Sequence, residues 1–161
     1  MNIEITRKKN NLYRLHDKTI VNASVDDTFN FFSSADNLNL ITPPWLRFNI
    51  ETPRPILMKK NTIIDYKLKI HIISVRWRSL IELWDPPNSF VDKQLIGPYN
   101  HWRHLHKIIK HSDEETVVED IVDYRIPFGI LGRAINYFYV KKDLVKIFSY
   151  RKNQIVSYFN N

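Results

Sequence analysis

The apolar positions of this chain recur at every second residue along most of its length, then at every third or fourth near the end. That change of period predicts a body of strands followed by one long helix. Leu12 to Val21 alternates and reads as a first strand. Ser24 or Asp26 offers an N-cap for a short helix containing Thr28, Phe29, Phe31 and Phe32. A second short helix is expected from Asp36 to Ile41, ended by Thr42-Pro43-Pro44, because the residue before a proline is pushed out of the helical region. Trp45 to Glu51 reads as a strand and Thr52-Pro53-Arg54-Pro55 as a stiff connector.

The clearest alternation is Asn61 to Ile72, with Ile64, Tyr66, Leu68 and Ile70 on one face and Asp65, Lys67, Lys69 and His71 on the other. Ser74 to Trp84 repeats the pattern, setting Val75, Trp77, Ser79, Ile81 and Leu83 against Arg76, Arg78, Leu80, Glu82 and Trp84. The turn Asp85-Pro86-Pro87-Asn88, a strand from Phe90 to Ile96 and the turn Gly97-Pro98 follow. His101 to His111 and Glu115 to Arg125 are the last two strands. From Gly129 to Phe159 the period lengthens: Leu131, Ala134, Ile135, Phe138, Val145 and Phe148 form one apolar stripe, opposite Arg133, Lys142, Lys146, Arg151 and Lys152. A helix of that length spans roughly 45 Å, enough to cross a small sheet. The expected architecture is α+β, one domain over residues 1–161: an antiparallel sheet of about seven strands curved around the long C-terminal helix, with two short helices after the first strand.

Composition narrows the function classes. The chain has no cysteine, so disulfides and thiolate metal sites are excluded. Its N-terminus has no secretory apolar run and no stretch is long enough to span a membrane, so a cytoplasmic location is expected. The net charge of +7 would suit nucleic acid or anionic lipid, but the basic residues are scattered. The aromatics Trp45, Phe48, Trp77 and Trp84 beside Arg47, Arg76 and Arg78 resemble a stacking platform, yet alternating aromatics on strands are usually core. No nucleic-acid partner and no obligate protein partner are therefore expected, and only a weak contact with an anionic membrane surface is kept open. Neither a Gly-rich phosphate loop nor a nucleophile elbow occurs.

Several stretches resemble the START-like (SRPBCC) superfamily, in its bacterial ligand-binding branch of "polyketide cyclase/dehydrase" proteins. They are Asn37-Leu38 through Ile41-Thr42-Pro43-Pro44-Trp45-Leu46, Ile64-Asp65-Tyr66-Lys67-Leu68, and Trp77-Arg78 with Ile81-Glu82-Leu83-Trp84-Asp85-Pro86-Pro87. Further on come Phe90-Val91-Asp92-Lys93-Gln94 leading to Gly97-Pro98-Tyr99, then Trp102, His104 and His106. Asp123-Tyr124-Arg125-Ile126-Pro127-Phe128-Gly129 with Leu131-Gly132 completes a match running from about Leu12 to Arg151. The resemblance implies a helix-grip fold enclosing an apolar cavity and no metal; cyclase activity belongs to selected members and does not follow from the fold.

Strand phase nominates the cavity wall. Trp102, His104, His106 and Ile108 share a face, as do Phe90, Asp92 and Gln94 before them and Asp120, Val122 and Tyr124 after. Trp45, Tyr66, Trp77, Phe138 and Lys141 complete the expected ligand-binding set, Lys141 through an ammonium that could meet an anionic head group. His104 and His106 are the candidate catalytic residues. A histidine held by a carboxylate can act as a general base, although nothing here supplies an activated nucleophile. The same groups could instead pair across strands, His104 with Asp120 and Asp92 with His106, and simply fix register. His-x-His also sets two imidazoles side by side as zinc sites require, but no spacing marks a third ligand, so no metal or other cofactor is expected. The reading is a carrier or sensor for a hydrophobic small molecule of the lipid, isoprenoid or aromatic polyketide class, more readily than an enzyme. The alternatives are a cyclase, dehydratase or hydrolase using a cavity histidine, and an accessory interaction protein with a vestigial cavity.

Overall fold

A computed structural model describes residues 3–160. Its strands are β1 (Glu4–Arg7), β2 (Tyr13–Val21), β3 (Asn49–Ile50), β4 (Ile63–Ile70), β5 (Ile73–Asp85), β6 (Ser89–Ile96), β7 (His101–Lys110) and β8 (Thr116–Arg125). They form one antiparallel sheet in the order β1-β2-β8-β7-β6-β5-β4-β3. Between β2 and β3 lie the short helices α1 (Val25–Phe32) and α2 (Leu38–Ile41). The Ser24 hydroxyl caps α1 by accepting from the Asp27 amide at 3.1 Å. After β8 the chain runs as α3 (Gly129–Ile135), a π-helical turn over Asn136–Val140, and α4 (Lys141–Phe159). This is the expected curved sheet gripping a C-terminal helix.

The core has two apolar clusters. Val21, Phe29, Phe31, Phe32, Ile41, Phe90, Ile108, Val118 and Ile155 form one; Leu15, Val122, Tyr124, Leu144 and Phe148 form the other. Helix α4 serves both, since Phe148 and Ile155 stand two turns apart on its inner face.

Four local expectations need correction. The strand expected over Trp45–Glu51 is mostly a 3-10 turn at Pro44–Leu46, followed by Arg47 at φ 45°, and only Asn49–Ile50 pair. A left-handed residue interrupts a ladder. Strand β1 adds an eighth strand at the sheet edge, too short and polar to show alternation. In β5 a register shift between Ile81 and Leu83 places Trp84 against Phe29 and Phe90, while Leu83 faces outward; a bulge reverses the phase beyond it.

The fourth concerns the long helix. Its buried face is Gly132, Asn136, Leu144, Phe148, Arg151 and Ile155, whereas Leu131 and Phe138 are exposed and Arg151, expected on the outer side, is buried. The π turn holds an extra residue within one turn, so a stripe extrapolated at constant period drifts off the true inner face. Asn136, within that turn, accepts a hydrogen bond from the Tyr124 hydroxyl at 3.0 Å and fixes the helix over β8.

At the start of the helix a side chain has no room. A Cβ on Gly132 would lie 2.0 Å from the Pro127 carbonyl oxygen, a backbone atom that cannot rotate away. Gly132→Ala should therefore destabilise the protein by about 1–3 kcal/mol, read as a lower urea midpoint. An unchanged midpoint would mean that the Pro127–Gly132 packing is not held in solution.

Candidate functional site

Between sheet and helix lies a cavity of about 210 Å³. Tyr66, Leu68 and Ile70 of β4, Trp77, Ser79 and Ile81 of β5, and Phe90 and Asp92 of β6 form one side. Trp102, His104 and His106 of β7 form the floor, and Leu144, Ile147, Phe148 and Arg151 of α4 close it. The remaining wall is the segment after α1, from which Leu38, Ile41, Thr42, Pro43 and Leu46 face in. The sheet supplies inward residues two apart because every second side chain of a strand shares a face.

Of the nominated residues, Tyr66, Trp77, Phe90, Asp92, Trp102, His104 and His106 line this space. Trp45 does not; it is half-exposed and meets Tyr150 edge-on at 5.5 Å. Gln94 braces the β6–β7 turn, donating to the Tyr99 carbonyl at 2.6 Å and accepting from its amide at 3.3 Å. Tyr124 is buried behind the wall, stacked on Tyr13 at 5.5 Å. Phe138 and Lys141 lie exposed on the early part of the helix, away from the cavity. Asp120 is buried behind the two histidines.

The lining is mostly aromatic and aliphatic, with one polar cluster. Cross-strand register places Asp92 opposite His104 and His106 opposite Asp120. His104 Nε2 lies 2.8 Å from Asp120 Oδ1, and His106 Nδ1 lies 3.0 Å from the same oxygen. On the other side, His106 Nε2 is 2.9 Å and His104 Nδ1 3.5 Å from Asp92 Oδ2. The two imidazoles are 3.7 Å apart between ring centres, and Phe90 stacks on His106 at 4.2 Å. From the helix, Arg151 Nε donates to Asp120 Oδ2 at 3.3 Å, its guanidinium lying 5.2 Å from the Phe32 ring centre. Both pairings named from the sequence, His104 with Asp120 and His106 with Asp92, are present; Arg151, three residues after Phe148 on the inner face, is the member the sequence reading left outside.

Burial disfavours every charge in this cluster, so each ionised group depends on its neighbours. For Asp120 burial acts upward, but the Arg151 charge and hydrogen bonds from His104 and His106 outweigh it and hold the carboxyl well below its ordinary range. Asp92 is lowered too, burial being outweighed by the His106 hydrogen bond and the His104 charge. His106 is raised: burial works against its proton, and hydrogen bonds to Asp120 and Asp92 win. His104 is lowered by burial and by its charged neighbour His106, against the pull of Asp120. The two carboxylates are thus favoured in their charged form, and the two histidines are pushed in opposite directions, His106 toward holding its proton and His104 toward losing it. Burial also pushes the Tyr66 and Tyr99 hydroxyls up, so both stay protonated.

Removing one partner of a buried ion pair leaves the other uncompensated. Arg151→Met should cost about 3–5 kcal/mol of stability, measured by urea unfolding. In an Asp120→Asn background the same change should cost markedly less. Equal losses in both backgrounds would show that Arg151 contributes packing rather than charge.

No protein-family profile and no curated protein matches the sequence. Solved structures do match. The Zhui aromatase/cyclase from Streptomyces sp. R1128 superposes with a TM-score of 0.64 at 12% identity, over 89% of this chain and 93% of its own. A norcoclaurine synthase point mutant from Thalictrum flavum, in complex with a transition state analogue, gives 0.66 at 12% identity over 98% and 99%. The major latex-like protein 151 from Panax ginseng gives 0.65 at 11% identity over 93% and 99%. The chain therefore shares with these solved structures a helix-grip fold, a curved antiparallel sheet around a long C-terminal helix. No helix among the described residues is long and apolar enough to cross a membrane.

Proposed function

We propose that this protein, working in the cytoplasm, binds a hydrophobic small molecule between sheet and helix, as carrier or sensor. The observation behind this reading is the cavity: apolar, aromatic-lined, and carrying one confined polar cluster at its floor, which is how small-molecule sites are commonly built. Affinity comes from removing apolar ligand surface from water, at about 25 cal/mol per Å² before the costs of association. At about 210 Å³ the space lies below the ~300–1,000 Å³ of sites for drug-sized ligands. A compact ring system or a short isoprenoid or acyl chain suits it better than a two-chain lipid. Trp77 and Trp102, edge to face at 5.3 Å, offer flat apolar surfaces for a ring, and a polar end group would be oriented by Asp92, His106 and Arg151.

A second reading, catalysis on the bound molecule, is supported by one specific observation. Both imidazoles line the cavity and both are oriented by carboxylates, the buried Asp120 and the partly buried Asp92. A histidine so held can move a proton at a ligand atom within reach. In this version, replacing both histidines by glutamine removes turnover while apolar ligand binding persists.

The test is uptake of an apolar fluorescent probe, with native mass spectrometry of protein purified from its own cells. Wild-type protein should take up one probe per chain and show a co-purifying small-molecule adduct. Leu68→Trp, which fills the cavity from β4, should weaken probe binding by about tenfold or more while the fold persists by circular dichroism. A bare chain mass together with no probe uptake would remove the carrier reading.

A further inference from the structure

Asp92, His104 and His106 present one carboxylate oxygen and two ring nitrogens that lie within 4.8 Å of one another. We propose that these three residues form a binding site for a divalent transition-metal ion of the zinc type, open to the cavity. The donor set is the first argument. Two imidazoles and one carboxylate suit zinc and its first-row neighbours, with bonds of about 2.0–2.2 Å and an open position left for water or ligand. Bonds of that length place donor atoms roughly 3.0–3.5 Å apart. The Asp92 oxygen lies 2.9 Å from His106 Nε2 and 3.5 Å from His104 Nδ1, and the three donors span up to 4.8 Å, so the side chains must draw together by roughly an ångström to close on the ion.

The second argument is the support behind the ligands. A metal-binding histidine commonly donates its other ring N–H to a carboxylate, which fixes its tautomer and raises its basicity. Here one residue does so for both rings. With Nδ1 of His104 and Nε2 of His106 turned toward Asp92, the opposite nitrogens meet Asp120 Oδ1 at 2.8 and 3.0 Å. Asp120 is in turn held by Arg151 at 3.3 Å. Asp92, His104 and His106 line the cavity and Asp120 does not, so ligands and their support stand in separate layers.

The third argument is placement. A purely register-fixing network has no need of an open side, yet Asp92 keeps a fifth of its side-chain surface accessible while both histidines are nearly closed. The remaining coordination positions face the apolar cavity, where an oxygen of a bound molecule would reach the ion. Arg151 opposes the site as a nearby positive charge. Its guanidinium also approaches His106 Nδ1 at 3.3 Å, but its hydrogen bonds to a side chain's carboxylate go to Asp120. The site does not depend on which apolar molecule fills the cavity.

Cobalt(II) is the probe, since it takes zinc-type sites and its visible bands report coordination. Whole protein, treated with a chelator and then titrated with Co²⁺, should gain visible d–d absorption that saturates at one ion per chain. One equivalent of Zn²⁺ should abolish it. Asp92→Asn and His106→Gln should weaken binding at least tenfold. Asp120→Asn, a positioning change, should weaken it by roughly ten- to a hundredfold while keeping the stoichiometry. His71→Gln and His111→Gln, at exposed imidazoles, should leave the titration unchanged. Absence of saturable bands in folded wild-type protein would overturn the proposal. So would binding lost only in the His71 or His111 variants, which would place the ion on the surface. A protein that takes up the apolar probe but no cobalt loses the metal site and keeps the carrier reading; the reverse result does the opposite.

Discussion

The constraint on which this structure turns is the seating of two carboxylates on the concave face of the sheet, Asp120 buried and Asp92 partly so. Asp92 and Asp120 sit among Phe90, Phe148 and the two histidines, where an unpaired charge would be intolerable. Their compensation is assembled from three directions. β7 supplies His104 and His106 between them, cross-strand register holds the pairs at hydrogen-bond distance, and α4 delivers Arg151 from above. The two apolar clusters flank this centre, with Phe148 in one and Ile155 in the other on either side of Arg151. Packing thus determines where the guanidinium lands, and the guanidinium determines that the helix docks in one rotation.

The sheet and its inner face were legible in the sequence because period-two patterns are local. Ile64, Tyr66, Leu68 and Ile70 are inward-facing wall residues as read, and so are Trp102, His104 and His106. The strand phase also placed Asp92 and Asp120 beside the histidines. What escaped were features set by irregular backbone. The bulge at Ile81–Leu83 exchanged Leu83 for Trp84, and the π turn at Asn136–Val140 misdirected the helical stripe toward Phe138 and Lys141. Arg151 was placed outside by charge type alone. No local pattern says that a buried Asp120 waits beneath it, since that requirement comes from a residue on another element.

The same reasoning explains why fold and function separate here. Neighbours of 11–12% identity share the grip architecture and differ in what their names describe. The grip needs only an alternating sheet and a long helix with one inward face. It leaves open which polar residues stand inside it; in this chain Asp92, His104, His106 and Arg151 line the cavity and Asp120 lies behind them.

The sheet order has a consequence for how the protein assembles. β2, near the start of the chain, pairs with β8, more than ninety positions later (Tyr13 with Tyr124), and Arg151 reaches Asp120 from the penultimate helical turns. The sheet's middle cannot be completed before β8 ends at Arg125, nor its buried charges before Arg151 is made. Such non-local pairing slows folding, because loop closure must precede the contacts that reward it. Arg151 comes later still, so a ribosome-bound chain that has paired β8 but not yet made α4 would hold Asp120 without its guanidinium partner.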